Sequence, residues 1–237
     1  MTVWISRELG SQHDLSSFDC GKEPLNTWLT GQSRRAHDAG TARTYVWTAE
    51  NSNVVRAYYS IAPTQVVREG LTRSQTGGYS VIPAYLLARL ALDQSLRGQG
   101  LGAELLFDAI DKIVRAAVVG GGRLIVVDAL DDDAAKFYLH HDFTPVKDNP
   151  HRLVMTIATA RAALGIGTVS VSSDPASRLI SLVFDTPEGT TVPVVLSAAE
   201  LGTVATALES LNEPELSEDG LRAAIIAAIG RDPFHDS

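Results

Sequence analysis

The glycine-rich segment Arg97–Gly102, with the sequence RGQGLG, limits the possible folds of this chain more than any other feature. It follows the apolar run Tyr85–Leu92, which predicts a strand buried on both faces. Behind it, apolar residues recur at helical spacing: Leu105, Leu106, Ala109, Ile110 and Ile113. Gly120–Gly122 ends this helix, and Arg123–Ala129 predicts a second buried strand. A strand, a helix and a strand in this order predict a parallel pair in an α/β fold.

The glycines of this loop allow a particular chemistry. Gly98, Gly100 and Gly102 leave main-chain N–H groups uncovered, and a helix N-terminus adds partial positive charge, so the turn can hold a pyrophosphate. A connection without a ligand is the plain alternative. A Walker-type loop is excluded because alanine and glutamate follow Gly102 instead of lysine and serine or threonine. The dinucleotide fingerprint matches Gly98-x-Gly100-x-x-Ala103, with Asp128 beyond it, but Gln94 to Arg97 separate the glycines from the strand.

The other elements complete a domain over residues 1–162. A helix is expected from a cap at Asp19 to about Asp38, where Gly40 ends it. The loop Gly70–Gly78 is followed by the central strand. The remaining predicted elements are the strands Arg43–Thr48, Val54–Ile61, Phe143–Val146 and Leu153–Ile157, and a short helix from Asp131 to His140.

The composition changes after Gly165. The net charge of −8 lies entirely in the last part, because residues 1–161 hold 17 basic and 17 acidic side chains whereas residues 162–237 hold 3 and 11. Short strands at Val169–Ser172, Leu179–Phe184 and Thr191–Leu196, a turn at Pro187–Gly189 and two helices, the first opened by a capping box at Ser197–Glu200, are expected there. We therefore expect a small acidic C-terminal α+β module over residues 163–237. It would repel a nucleic acid, so any nucleic-acid partner needs a basic patch in the first domain.

The single cysteine, Cys20, cannot form an internal disulfide, which indicates a reducing compartment. We expect it to be structural. The N-terminal residues lack a basic segment followed by an apolar run, and no uncharged apolar stretch approaches the ~20 residues that span a bilayer. The expected location is cytoplasmic, without a membrane partner.

The pattern Arg97-x-x-Gly100-x-Gly102 resembles the Arg/Gln-x-x-Gly-x-Gly/Ala signature of GNAT acetyltransferases. The resemblance implies the GNAT fold, an α/β (α+β) architecture with a mixed central sheet flanked by helices, and acetyl-CoA as co-substrate. In that family the preceding strand bulges and splays from its neighbour, and the pantetheine arm enters the gap. Carried over, main-chain groups of Leu90, Ala91 and Leu92 would bind pantetheine. The phosphates would be held by Arg97, Gly98, Gln99, Gly100, Leu101 and Gly102.

Further segments narrow this resemblance. They stand in order at fitting spacing: Phe18–Gly21, Leu25-x-x-Trp28-Leu29, Arg43–Val46, Leu87–Asp93 and Ala135–His141. Together they are similar to the TacT-like GNAT toxins of type II toxin–antitoxin systems. This similarity implies transfer of acetyl to the α-amino group of aminoacyl-tRNA, which blocks translation, as well as a ribbon-helix-helix antitoxin and a toxin homodimer. The alternatives are a GNAT enzyme acting on a small amine, a peptide or a protein N-terminus, and an inactive module that binds coenzyme A as a structural ligand.

Tyr138 matches the catalytic tyrosine of the family, and its phenol would protonate the departing thiolate. A strong general base is optional, since α-amino groups titrate near ~7.7–8.0. The alternative is that Tyr138 is a core aromatic. Adjacent helical residues point about 100° apart, so Phe137 can fill the core while Tyr138 faces the cleft.

Four arginines are candidates for phosphate contacts with tRNA: Arg34, Arg35, Arg43 and Arg89. For Arg34 and Arg35 a solvated helix face is an equal alternative. His37, His140 and His141 show no metal-ligand pattern, and no metal site is predicted. One departure from the family is Asp142, where the family usually has glycine, and we expect a left-handed backbone there with local strain. The other departure is the acidic module, which we expect to modulate access to the basic surface or to support self-association.

Overall fold

The structure is a computed structural model that describes residues 2–164, 169–174, 179–185, 191–197, 199–200, 202–203 and 218–232. The chain divides into two compact units, Met1–Ala160 and Arg161–Ser237. None of the described helices is long and apolar enough to cross a membrane.

The first unit contains a mixed seven-stranded sheet in the order β1-β2-β3-β4-β5-β7-β6. All neighbours are antiparallel except β4 and β5, which pair in parallel as the strand-helix-strand pattern predicts. The strands are β1 (Trp4–Glu8), β2 (Arg43–Ala49), β3 (Val55–Val67), β4 (Val81–Leu92), β5 (Leu124–Asp128), β6 (Thr144–Val146) and β7 (Asn149–Thr156). This is the mixed central sheet expected of a GNAT fold.

Six helices accompany this sheet: α1 (Glu23–Gly31), α2 (Ser33–Asp38), α3 (Arg73–Thr76), α4 (Leu101–Gly120), α5 (Asp132–His140) and α6 (Ile157–Ala163). Helix α4 packs on β3 and β4, and its predicted apolar face is confirmed, because Leu105, Leu106, Ala109, Ile110 and Ile113 are all buried. Asp131 caps α5 by accepting a hydrogen bond from the Ala134 N–H at 2.9 Å. The predicted loop at residues 70–78 contains the short helix α3.

The helix predicted over Asp19–Asp38 is wrong in its start and its continuity. Lys22, not Asp19, is the N-cap of α1, and Pro24 lies in its first turn. The helix also breaks at Gln32, whose φ of −126° is not helical. The carboxylate of Asp19 is engaged elsewhere, as described below.

Strand β4 is less buried than its apolar sequence predicts. Leu87 and Ala91 are buried, whereas Leu86, Leu90 and Leu92 are only half-buried. For Leu90 and Leu92 the reason is that the C-terminal half of β4 borders a cleft and has no strand paired with it on that side. An apolar run cannot distinguish a strand between two neighbours from one that opens onto a cleft.

Asp142 adopts the left-handed conformation expected from the family comparison, with φ of 62°. It follows His141, the C-cap of α5, and lets Phe143, which is 2% exposed, turn back into the core. The Phe143 N–H donates to the Tyr138 carbonyl at 3.2 Å. A left-handed non-glycine residue costs about 1 kcal/mol, so the strain is local and the helix end keeps its form.

The second unit contains a three-stranded antiparallel sheet in the order β10-β9-β8. The described residues of this unit include β8 (Val169–Asp174), β9 (Leu179–Asp185), β10 (Thr191–Ser197) and the helix α7 (Glu218–Ile229). The capping box is confirmed, since the Ser197 N–H donates to Glu200 at 2.8 Å and the Glu200 N–H donates to Ser197 Oγ at 3.3 Å. Arg231 also donates to Glu200 at 2.9 Å, which holds the pKa of that carboxyl well below its usual range, at about 2. The predicted turn at Pro187–Gly189 and most of the helix after Ser197 lie outside the described residues.

Candidate functional site

A cleft of about 430 Å³ opens where β4 and β5 separate. The two strands pair only from Ala84–Leu124 to Leu86–Val126, although both continue beyond that point. A register irregularity in the β3–β4 ladder coincides with this separation, because Ser60 pairs with Arg89 but the next residue pairs with Leu87. Strand β4 therefore bulges and splays from its parallel neighbour, as the GNAT resemblance implies.

The register shows which main-chain groups of β4 face this cleft. The Asp93 N–H donates to the Arg56 carbonyl on β3 at 2.8 Å, so these two residues form a hydrogen-bonded pair. Hydrogen-bonded and non-hydrogen-bonded pairs alternate along an antiparallel ladder. The N–H and C=O groups of Ala91 consequently bond to β3, whereas those of Leu90 and Leu92 face the cleft. Ala91 thus differs from the prediction: it lines the cleft, but its main-chain groups point to β3.

The glycine loop lies between the end of β4 and the start of α4. Gly98 and Gly100 have φ of 74° and 79°, a left-handed conformation that explains the need for glycine at both positions. A Cβ at either position would meet no protein atom within 4 Å, so the space above the loop is open. The main-chain N–H groups from Gly98 to Gly102 have no acceptor among the residues that the structure describes. Together with the N-terminus of the 20-residue helix α4, these groups offer free donors and partial positive charge, which suit an anion.

Two side chains of the loop fold back onto the protein. Arg97 is exposed, lines the cleft, and donates a hydrogen bond from Nη2 to the Cys20 carbonyl. Gln99 donates from Nε2 to the Ser95 carbonyl at 3.2 Å. Leu101 and Gly102 begin α4. A Cβ atom placed on Gly102 would lie 3.7 Å from the Phe137 ring.

Tyr138 lies on α5 and lines the same cleft, although it is only 8% exposed. Its ring packs edge-on against Phe137 and Phe143 at centroid distances of 5.4 Å. Burial raises the pKa of its phenol well above the usual value of 10. The phenol is therefore protonated at physiological pH, which suits a proton donor.

The expectation that Phe137 fills the core while Tyr138 faces the cleft is wrong in one respect. Tyr138 is the more buried of the two, and Phe137 is half-buried, with its ring 4.6 Å from that of His141. Tyr138 thus both packs in the core and lines the cleft. Helical spacing gives the directions of two neighbours, but the depth of each depends on the layer beneath the helix.

The four arginines proposed to contact tRNA differ in exposure and in the groups that they bind. Arg34 donates to the Ser11 and His13 carbonyls at 3.2 and 2.7 Å, so it holds a loop instead of lying on a solvated helix face. Arg35 and Arg43 are exposed. Arg89 lines the cleft and lies over the Trp28 ring at 5.5 Å.

Sequence reasoning did not identify an ion pair between two residues that line the cleft. Lys22 Nζ lies 2.7 Å from Asp131 Oδ2 and joins the start of α1 to the cap of α5. The hydrogen bond and charge of Asp131 raise the pKa of Lys22, and those of Lys22 lower the pKa of Asp131. The two residues are 109 positions apart, and no local pattern indicates such a contact.

Cys20 is buried and its thiol contacts Asn26 Oδ1 at 3.1 Å. Burial raises the pKa of this thiol, so it carries little thiolate and stays in the structural role expected for it. Within the described residues, no three His, Cys, Asp or Glu side chains are grouped to hold a metal ion.

Comparisons with known proteins agree with this geometry. The chain is 35% identical over 160 residues to a tRNA-acetylating toxin of Mycobacterium tuberculosis, covering 67% of this chain and 95% of that protein. It is similar to a structure of AtaT complexed with acetyl-methionyl-tRNAfMet, with 30% identity, a TM-score of 0.63 and coverage of 68% of this chain and 99% of AtaT. It is also similar to a mutant AtaT bound to acetyl-CoA and to the C-terminus of the antitoxin AtaR, with 29% identity, a TM-score of 0.60 and coverage of 68% and 98%. No family model matches the chain.

Proposed function

The chain belongs to the TacT-like family of GNAT toxins that acetylate tRNA, and from this premise we propose that it transfers acetyl from acetyl-CoA to the α-amino group of aminoacyl-tRNA. It is an acetyl-CoA-dependent N-acetyltransferase and the toxin of a type II toxin–antitoxin system. The observation that carries this conclusion is that one cleft is lined by the splayed end of β4, by Arg97 at the start of the glycine loop and by Tyr138.

The residues of the cleft fit acetyl-CoA. The outward N–H and C=O groups of Leu90 and Leu92 match an extended chain that carries amides, such as pantetheine. The N–H groups from Gly98 to Gly102 match a diphosphate, and Arg97 adds a positive charge beside them. When bound, acetyl-CoA supplies an acetyl group activated as a thioester.

The chemistry assigned to the protein is limited to positioning and one proton transfer. A neutral amine attacks the thioester carbon, the new C–N bond forms, and the C–S bond breaks. Tyr138 holds a proton on its phenol oxygen and donates it to the sulfur that leaves. The amine loses a proton in the same turnover, which restores the phenol through solvent. Since α-amino groups titrate near ~7.7–8.0, no strong base is needed to supply the neutral amine.

The partners are assigned by the same reasoning. Arg35, Arg43 and Arg89 are proposed to contact tRNA phosphates, because they are exposed or line the cleft. Arg34 is a weaker candidate, since both ends of its guanidinium are held by carbonyls.

We propose a ribbon-helix-helix antitoxin, a toxin homodimer, a cytoplasmic location and a block of translation. The GNAT domain is assigned to residues 1–162. The acidic module of residues 163–237 is proposed to modulate access to the basic surface or to support self-association.

An acceptor survey tests the proposed activity. Purified protein is incubated with labelled acetyl-CoA and, in separate reactions, with charged tRNAs, the same tRNAs uncharged, small amines and peptides with free N-termini. Label is expected in charged tRNA only and should be released with the N-acetyl amino acid after mild alkaline hydrolysis. Labelling of peptides or small amines without labelling of charged tRNA would favour the alternative GNAT acceptors.

The rate of transfer should rise with pH through the pKa of the acceptor and then stay level to at least pH 9.5. The rise follows because only the neutral amine attacks, and the amine titrates near ~7.7–8.0. The plateau follows because burial raises the pKa of Tyr138 above its usual 10, so the phenol stays protonated over this range. The measurement is kcat/KM between pH 6 and 9.5 with an aminoacyl-tRNA analogue joined by a stable amide. A decline that sets in below pH 9.5 would contradict the assignment of this phenol.

A further inference from the structure

Asp93 stands at the end of β4, immediately before the segment that leads into the glycine loop, and it is 5% exposed. Its Oδ1 accepts hydrogen bonds from the Ser95 N–H at 3.0 Å and from Ser95 Oγ at 2.6 Å. Its Oδ2 accepts one from the Asp19 N–H at 3.1 Å and lies 3.5 Å from Arg56 Nη1. A buried carboxylate with this many donors is strongly oriented.

Asp19 completes the contact from the opposite side. Its Oδ1 accepts from the Gly21 N–H at 2.7 Å and from Asn26 Nδ2 at 2.8 Å, and its Oδ2 accepts from Gln94 Nε2 at 2.8 Å. The Gln94 N–H donates in turn to the Asp19 carbonyl at 2.9 Å. Two segments about 74 residues apart in the chain are thereby joined by several polar contacts.

These contacts continue into the cofactor loop. The Ser95 carbonyl accepts a hydrogen bond from the side chain of Gln99, and the Cys20 carbonyl accepts one from the side chain of Arg97. Ser95 is held by Asp93, and Cys20 follows Asp19 directly. The side chain of Gln99 therefore bonds to Ser95, which the Asp93 carboxylate holds. The side chain of Arg97 bonds to Cys20, which lies between Asp19 and the Gly21 N–H that the Asp19 carboxylate binds.

We propose that Asp19 and Asp93 are positioning residues that set the glycine loop at the distance from β4 that the diphosphate of acetyl-CoA requires. The proposal rests on the proposed function and assigns a role to the Phe18–Gly21 segment, which does not itself belong to the glycine loop. Gly98 and Gly100 have no side chain, and their Cβ positions meet no atom within 4 Å, so packing around these glycines does not hold the loop. The carboxylates supply the orientation that packing there does not.

Replacing Asp93 by Asn should raise KM for acetyl-CoA about tenfold and leave kcat within about threefold. The Asn oxygen can still accept from Ser95, but its NH₂ group then faces the Asp19 N–H, so one charge-assisted hydrogen bond is replaced by two opposed donors. Asp19→Ala should act in the same direction. Because Asp19 is exposed, this second variant tests the proposal even if Asp93→Asn folds poorly.

S-acetylpantetheine, which lacks the diphosphate, distinguishes positioning from a general structural defect. Both variants should use it as a donor as well as the unmodified protein does, whereas a damaged cleft would lose activity with both donors. Asp14→Asn is the matched control, because Asp14 accepts from Ser16 N–H and Oγ in the same local pattern but lies outside the cleft. An unchanged KM for acetyl-CoA in both variants, or equal losses with the two donors, would overturn the proposal. Failure of the unmodified protein to bind acetyl-CoA would instead overturn the proposed function on which it rests.

Discussion

Replacing Tyr138 by Phe should lower the rate of acetyl transfer at least about 100-fold and leave the affinity for acetyl-CoA within about twofold. General acid catalysis typically contributes 10²–10⁴-fold, and within the described residues no other tyrosine lines the cleft. The affinity should be retained because the main-chain groups of β4 and of the glycine loop do not involve the phenol. The measurements are single-turnover acetylation of charged tRNA and calorimetry with acetyl-CoA.

The same substitution should leave the fold intact. The Phe ring keeps the edge-on contacts with Phe137 and Phe143, and the Tyr138 phenol donates no hydrogen bond to any residue in the described part of the chain. Tyr85→Phe is a suitable control, because it removes a phenol that donates to the Ala116 carbonyl at 3.1 Å and does not line the cleft. Its activity should be unchanged. If Tyr138→Phe were as active as the control, Tyr138 would be a core aromatic and the thiolate would take its proton from another donor. Only an unmodified protein that binds acetyl-CoA and transfers no acetyl group would favour a module that uses coenzyme A as a structural ligand.

Replacing Gly100 by Ala should weaken the binding of acetyl-CoA by about 10- to 100-fold. The residue is the N-cap of α4 with φ of 79°, so alanine is strained there, and relief of the strain turns the adjacent N–H groups away from the diphosphate. Losing hydrogen bonds to a charged group costs about 1.5–3 kcal/mol, which corresponds to this range of affinity. Calorimetry with acetyl-CoA measures it directly.

Gly40→Ala provides a control with the same backbone strain. Gly40 has φ of 68°, and a Cβ there meets no atom within 4 Å, as at Gly100, but the residue follows α2 and does not line the cleft. Both variants should lose about 1 kcal/mol of folding free energy, and only Gly100→Ala should lose affinity. Equal affinities in the two variants would show that the loop does not bind the diphosphate.

Much of the cofactor side of the site can be predicted from the sequence because its determinants are local. The run before Arg97, the glycines and the apolar face of α4 lie within about 35 consecutive residues, and periodicity reports the face that each buries. The left-handed conformations of Gly98, Gly100 and Asp142 are local properties as well. The capping box at Ser197 is confirmed for the same reason.

The errors concern contacts between distant segments. Asp19 has the features of a helix cap, but its carboxylate joins Gln94 and Asn26 instead. Arg34 has the spacing of a solvated helical residue, but it binds the carbonyls of a loop that precedes the helix. In each case a short local pattern was compatible with two partners, and the partner chosen was the one that the fold brought close.

The order of strand, glycine loop and helix, and with it a turn of free N–H groups that suits an anion, follows from the sequence alone, because hydrophobic periodicity and glycine conformation act over a few residues. Which groups face the cleft depends instead on contacts between distant segments. The register of β3 on β4 turns the main chain of Leu90 and Leu92 toward it and that of Ala91 away. The ion pair of Lys22 with Asp131 and the depth of Tyr138 are set by the packing of elements far apart in the chain, which no local pattern records.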